Sequence, residues 1–312
     1  MGVLFIVAVE AAAGKTTFSA GLAKIFLNDG KKVGYLKPQA ASTDGSDGDT
    51  AFMKHLLGLA DVVNAPDITK GRDIVLFESA VGPTPEDTLS KKTYGAVKEM
   101  KATVIAVETY TGNPSRFIDV YKGFGGSLLG VVINKVPMSQ LQRAREEASV
   151  RLGASGIRVL GVIPENRALL AITVGELAGS IQGAVLNNPD KSGELVENFM
   201  LGAMVVGSGV NYFARKNNKA AIIWHDRPDI QLAALETSTS CLVLSGGQHP
   251  PFYNVLQKAQ SRSIPIITTD LTNNDIVTKI EDMLAKTRLN QEKKIPVLTE
   301  MLKQNLDVKA IA

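Results

Sequence analysis

The sequence predicts a doubly wound, mainly parallel α/β sheet followed by a smaller α/β region, on three observations. Short β-rich runs alternate with helical patterns through the first half of the chain. Most of those runs are continuously apolar, as strands are when helices cover both faces of a parallel sheet. The first run, Val3–Val9, leads through a short loop into a helical pattern opened by Gly14-Lys15-Thr16, the order of parts that places a ligand at the carboxyl end of such a sheet.

The expected strands of the first half are Val3–Val9, Lys32–Leu36, Asp73–Phe77, Thr103–Val107, Leu129–Ile133 and Arg158–Val162. Phe18, Leu22, Ile25 and Phe26 recur at helical spacing after the first strand. Thr93–Met100 and Ser139–Leu152 supply further crossovers. A polar run, Asn187-Asn188-Pro189-Asp190-Lys191-Ser192-Gly193, reads as a linker. The expected division is therefore 1–186, a linker over 187–194, and a second domain over 195–312.

The second domain repeats the rhythm on a smaller scale. Strands are expected at Ala220–Trp224, Cys241–Leu244 and Ile264–Thr268, and helices at Ile230–Leu235, Phe252–Ala259 and Ile276–Leu284. Thr272 and Asp275 have the spacing of a capping box for the last helix.

Composition narrows the function classes. At 312 residues, with 45% hydrophobic and 21% charged residues, the chain is long enough for two cores. A net charge of +3 gives no electrostatic reason to expect nucleic acid or an anionic membrane as partner. The basic cluster Lys286–Lys294 reads as a solvated helix face. The apolar stretch Phe199–Val210 is interrupted by Gly202, Gly207 and Gly209 and is too short to cross a bilayer. A single cysteine, Cys241, lies in an apolar strand and excludes an intramolecular disulfide. With no signal-peptide pattern at the N-terminus, a cytoplasmic location is expected.

The loop Glu10-Ala11-Ala12-Ala13-Gly14-Lys15-Thr16-Thr17 carries the strongest chemical signal. Strand, tight loop and a helix opening with Lys and Thr form a cradle for phosphate, because the first helical N–H groups lack intrahelical partners. Only the second half of the signature G-x-x-x-x-G-K-[ST] is present; Val9 stands at its first glycine. Polar residues also follow the other strands: Lys37 and the loop Asp44-Gly45-Ser46-Asp47-Gly48-Asp49, then Glu78-Ser79, Glu108, and Asn134-Lys135. Taken one at a time these are ordinary turn and cap residues. Together they offer a phosphate cradle, a hydroxyl and carboxylates, the set that Mg-nucleotide chemistry needs.

The motifs VEAAAGKTT, VGYLKPQ, VLFES, GVVINKVP and VLGVIPEN, in that order, resemble the dethiobiotin synthetase-like P-loop proteins, which include cobyrinic acid amide synthases. The resemblance implies a sheet of the P-loop NTPase type binding ATP and Mg²⁺. It implies that Lys15 contacts the β/γ-phosphates, that Thr16, Asp49 and Glu78 serve the metal, that Lys37 faces a substrate, and that Asn134 reads adenine. Asp47 is close enough in sequence to replace Asp49. The segment Phe77-Glu78-Ser79-Ala80-Val81-Gly82 keeps the acid of the family's glycine-rich substrate cradle and loses most of its glycines.

In the second domain, HDRPDIQLAAL and the Ser245-Gly246-Gly247 turn resemble the DRTGG domain, with Asp226, Arg227, Ser245, Gly246 and Gly247 at its name-giving positions. An ion pair between Asp226 and Arg227, with glycines serving only the turn, is the structural alternative. The two resemblances in series are similar to the non-catalytic N-terminal part of long phosphotransacetylases. They imply a Mg-ATP-binding regulatory or sensory protein, forming a homo-oligomer, with a small-molecule effector at the second domain and a metabolic enzyme as partner. Phosphate acetyltransferase activity is not expected without the catalytic domain. An ATP-dependent ligase activating a small carboxylate, with Lys15 and Lys37 catalytic, is the alternative; a scaffold with a residual nucleotide site is a third reading.

Overall fold

The computed structural model describes residues 2–37, 48–59, 71–79, 88–113, 117–247, 249–286 and 289–311. Asp44–Asp47, including the alternative metal ligand Asp47, and the Ala80–Gly82 segment lie outside the described residues. The chain divides into two compact units, one of 1–166 with 288–312 and one of 167–287.

The first unit runs β1 (Gly2–Val7), α1 (Lys15–Asn28), β2 (Val33–Leu36), α2 (Gly48–Leu57), β3 (Ile74–Glu78), α3 (Thr88–Glu99), β4 (Thr103–Thr109), α4 (Ile118–Lys122), β5 (Leu128–Val136), α5 (Leu141–Gly153) and β6 (Val159–Pro164). Its six strands lie in the order β2-β3-β1-β4-β5-β6, and every pairing is parallel. Phe5, Val7, Val104, Ala106, Val131 and Ile133, alternate residues of three neighbouring strands, pack with Tyr121, Ala144 and Leu152. The intervening Leu4, Ile6, Ile105 and Val132 are also buried. Both faces are covered, so the continuous apolar runs are the signature of this sheet, as expected.

The second unit contains β7 (Ile172–Thr173), α6 (Val174–Ser180), β8 (Ala184–Val185), β9 (Leu195–Val196), β10 (Asn198–Gly202), α7 (Gly209–Phe213), β11 (Lys219–Trp224), α8 (Pro228–Leu235), β12 (Thr239–Ser245), α9 (Tyr253–Ser261), β13 (Ile266–Thr268) and α10 (Asn273–Lys286). Its main sheet is ordered β10-β11-β12-β13-β8; β8 alone is antiparallel, and β7 pairs with β9 in a separate antiparallel ladder. The Thr272–Asp275 capping box forms, with Thr272 Oγ1 donating to Asp275 Oδ2 at 2.7 Å and the Asp275 N–H returning to Thr272 Oγ1 at 3.3 Å.

The units do not divide where the polar run falls. Asn187 is buried and serves β13: its Nδ2 donates to the Ile264 carbonyl at 3.0 Å, and its Oδ1 accepts from the Ile266 N–H at 2.7 Å. Pro189–Gly193 forms a short 3-10 turn. A polar run that satisfies strand backbone reads like a linker in sequence and is structural in the fold.

At the other end, α11 (Ile295–Asn305) and α12 (Val308–Ile311) return to the first unit. There α11 packs on α1 and β6. Leu298 and Leu302 close on Gly21, where a Cβ would lie 2.5 Å from Leu302 Cδ1. Within the basic cluster, Lys294 is only 1% exposed, so that stretch is not a wholly solvated face. Asn198–Gly202 and Gly209–Phe213, a strand and a short helix, occupy the interrupted apolar stretch, and no described helix is long and apolar enough to cross a membrane.

Candidate functional site

The carboxyl ends of β1, β3 and β5 bring most of the expected first-unit residues together. Following β1, the chain turns through Ala12 at φ 57° and Gly14 at φ 93° before α1 begins at Lys15. Gly14, the N-cap of α1, makes no side-chain cap, and the first N–H groups of a helix lack intrahelical partners. Ala11 and Ala12 are exposed, Ala13 is buried, and Glu10 and Thr17 are half-buried.

Thr16, in the first turn of α1, points its hydroxyl at two carboxylates. Oγ1 donates to Glu78 Oε2 at 3.0 Å and lies 3.4 Å from Asp49 Oδ2. Asp49, in the first turn of α2, accepts from Lys37 Nζ at 2.8 Å. Glu78, the last residue of β3, is fully buried, and its Oε1 makes no hydrogen bond of normal geometry. Burial pushes the Glu78 carboxyl up from its ordinary range, against the opposing pull of the Ser19, Thr16 and Tyr35 hydroxyls and the Lys37 charge. Burial also lowers the Lys15 ammonium; the neighbouring Glu78 charge raises it and Lys37 lowers it.

This donor set suits a hard divalent cation. Two carboxylates and a hydroxyl converge at hydrogen-bond range, and one buried Glu78 oxygen has no hydrogen bond of normal geometry. Mg²⁺ characteristically takes one or two carboxylates and fills its octahedron with water and phosphate oxygens. A desolvated carboxylate with incomplete hydrogen bonding costs stability unless something pairs with it.

At the end of β5, Asn134 Nδ2 donates to the Ala13 carbonyl at 2.9 Å and Lys135 Nζ donates to the Ala12 carbonyl at 2.8 Å. Asn134 therefore grips the loop itself. Lys135, at φ 59°, had no assigned role in the sequence; its position directly after Asn134 was the only signal. Glu108, at the end of β4, is buried and accepts from the Tyr121 hydroxyl at 2.8 Å.

The second-unit residues also gather at carboxyl ends, after β11 and β12, but their pairing differs from the expected one. Arg227 forms a fork with Asp229, Nε to Oδ1 at 3.1 Å and an Nη2 donor to Oδ2 at 3.0 Å, and also donates to the Met204 carbonyl. Asp226 is exposed. The buried Ser245 hydroxyl donates to Asn273 Oδ1 at 2.6 Å. Gly246, at φ 81°, carries the Trp224 indole so closely that a Cβ would lie 2.8 Å from the ring. The glycine is required by both its backbone and its neighbour. Gly247 continues the turn, its N–H donating to the Thr269 carbonyl.

Residues 176–283 match the DRTGG domain, and residues 3–71 match an AAA domain. The chain is related to phosphate acetyltransferases, matching their N-terminal part. The enzyme of Nitrosomonas europaea is 21% identical, with 98% of this chain and 50% of the enzyme covered. That of Pseudomonas aeruginosa is 23% identical, with 98% and 51% covered. The chain thus spans about half the length of the curated relatives it matches. Among solved structures, the CBS and DRTGG domains of the regulatory region of a Clostridium perfringens pyrophosphatase are 18% identical over 49% of this chain and 72% of theirs, at a TM-score of 0.30.

Proposed function

We propose that this chain is a Mg-ATP-binding regulatory or sensory protein, comparable to the N-terminal part of the phosphate acetyltransferases it matches. The observation that carries this reading is the fully buried Glu78 carboxylate, one oxygen without a hydrogen bond of normal geometry and the other 3.0 Å from the Thr16 hydroxyl, beside a helix that opens with Gly14-Lys15-Thr16. Thr16, Asp49 and Glu78 would hold Mg²⁺, and Lys15 would meet the β/γ-phosphates on the backbone N–H groups of the loop. The bound cation would neutralise phosphate charge. Lys37, already paired with Asp49, would keep that carboxylate turned toward Thr16.

In this reading the second unit receives an effector through Asp226 and the Gly246–Gly247 turn, while Arg227 and Ser245 hold the turn's surroundings in place. Nucleotide occupancy of the first unit then biases assembly into a homo-oligomer or with a metabolic enzyme. The match to the DRTGG domain supports a regulatory role. The buried Cys241 thiol, pushed up to about 12 by burial, suits a structural residue and not a nucleophile.

Thermal unfolding with and without Mg-ATP tests the reading. A ligand at 100 times its dissociation constant stabilises by about 2.7 kcal/mol, so the wild-type midpoint rises. It rises less without Mg²⁺ and does not rise in Lys15→Ala. An unchanged wild-type midpoint favours the scaffold with a residual site; release of ADP on adding a small carboxylate favours the ligase.

A further inference from the structure

We propose that Asn134 and Lys135 form a latch that sets the polarity of the phosphate loop, with Lys135 a positioning residue for phosphate. The proposal rests on the nucleotide reading and adds to it a role for two adjacent residues. In a trans peptide unit, the C=O and the following N–H point in opposite directions. Lys135 Nζ holds the Ala12 carbonyl at 2.8 Å and Asn134 Nδ2 holds the Ala13 carbonyl at 2.9 Å, both toward the end of β5. The N–H groups of Ala13 and Gly14 are thereby turned the other way. Anion cradles are built from such aligned N–H groups.

The backbone gives the latch something to do. Ala12 sits at φ 57° without being glycine, a conformation that costs roughly 1–2 kcal/mol and persists where neighbours enforce it. The signature glycine at Val9 is also missing. Lys135 occupies the same left-handed region at φ 59°, and its ammonium reaches the loop at the Ala12 carbonyl. A Cβ on Gly14 would lie 2.5 Å from Asn134 Nδ2, so the glycine of Gly14-Lys15-Thr16 is needed for the amide to reach the loop.

The test uses the full chain and two probes, Mg-ATP and inorganic tripolyphosphate, in calorimetric titrations. Lys135→Met keeps the stem and removes the charge-assisted bond; it weakens both probes by roughly 10- to 100-fold, the loss of one such bond. Lys135→Arg restores most of the affinity. Asn134→Ser also weakens tripolyphosphate, which has no base to read. Amide exchange across residues 11–14 in the ligand-free protein quickens in Lys135→Met, while its thermal midpoint reports that the unit remains folded. Wild-type binding with unchanged affinity in folded Lys135→Met overturns the latch alone. An Asn134→Ser variant that loses Mg-ATP and keeps tripolyphosphate also overturns it, leaving Asn134 as a base reader. Failure of the wild type to bind either probe overturns the nucleotide reading and the latch with it.

Discussion

Lys219 places a charge where charge is costly. It opens β11 fully buried, with no carboxylate beside it among the described residues, and donates to the Lys216 carbonyl, the Thr237 hydroxyl and the Ser238 carbonyl at 3.1, 2.8 and 2.7 Å. Burial lowers its ammonium from the ordinary 10.5 to about 8. Between those values the unfolded chain keeps a proton that the native protein has released, so stability rises with pH across that window. Below about pH 8 the full burial cost is present. Urea unfolding from pH 7 to 10 reads the effect: wild type gains of order 1 kcal/mol over Lys219→Met across the window. Parallel profiles for the two proteins would contradict it. Sequence alone gave no sign of this residue, because a lysine at the start of a strand looks like surface. That Gly14-Lys15-Thr16 and Glu78 would meet at the carboxyl edge of the sheet was legible, since residue type and position after a strand are both local facts. The Arg227–Asp229 fork was not, because the motif drew attention to Asp226, the neighbour that stays exposed.

A helix from the far end of the chain packs on α1 and β6 of the first unit. Gly161 of β6 meets the Asn305 backbone carbonyl where a Cβ would go, and it bridges to Leu306. Arg158 pairs with Asp307 at 2.7 Å beside it. Adding one methyl there cannot be absorbed by a flexible side-chain tip, because the obstacle is backbone. Gly161→Ala is expected to cost about 1–3 kcal/mol, as overpacking does, and to speed amide exchange through α11. A wild-type denaturation midpoint for this variant would mean that α11 is not seated as described. Parallel strands were readable because double burial writes itself as continuous apolar runs. The two-residue strands β7, β8 and β9 have too few residues to show a period, and α11 looked like part of the domain preceding it in sequence.

At the scale of the whole molecule, the chain leaves the first unit after Asn166 and rejoins it at Arg288, so the second unit is an insertion and not a tail. A linear reading places domains end to end, which is why the expected boundaries at 187 and 195 missed this return. Both ends of the DRTGG-matching unit connect in sequence to the first unit, one after β6 and the other before α11, which packs on the helix that begins with Lys15. This helix and its loop are proposed to hold Mg-ATP. Isothermal titration of the full chain with ATP in the presence of Mg²⁺ tests it most directly. Saturable binding near one nucleotide per chain is expected, weakened by omitting Mg²⁺ and abolished in Lys15→Ala. Absence of binding by the wild type, or equal binding by Lys15→Ala, would contradict it.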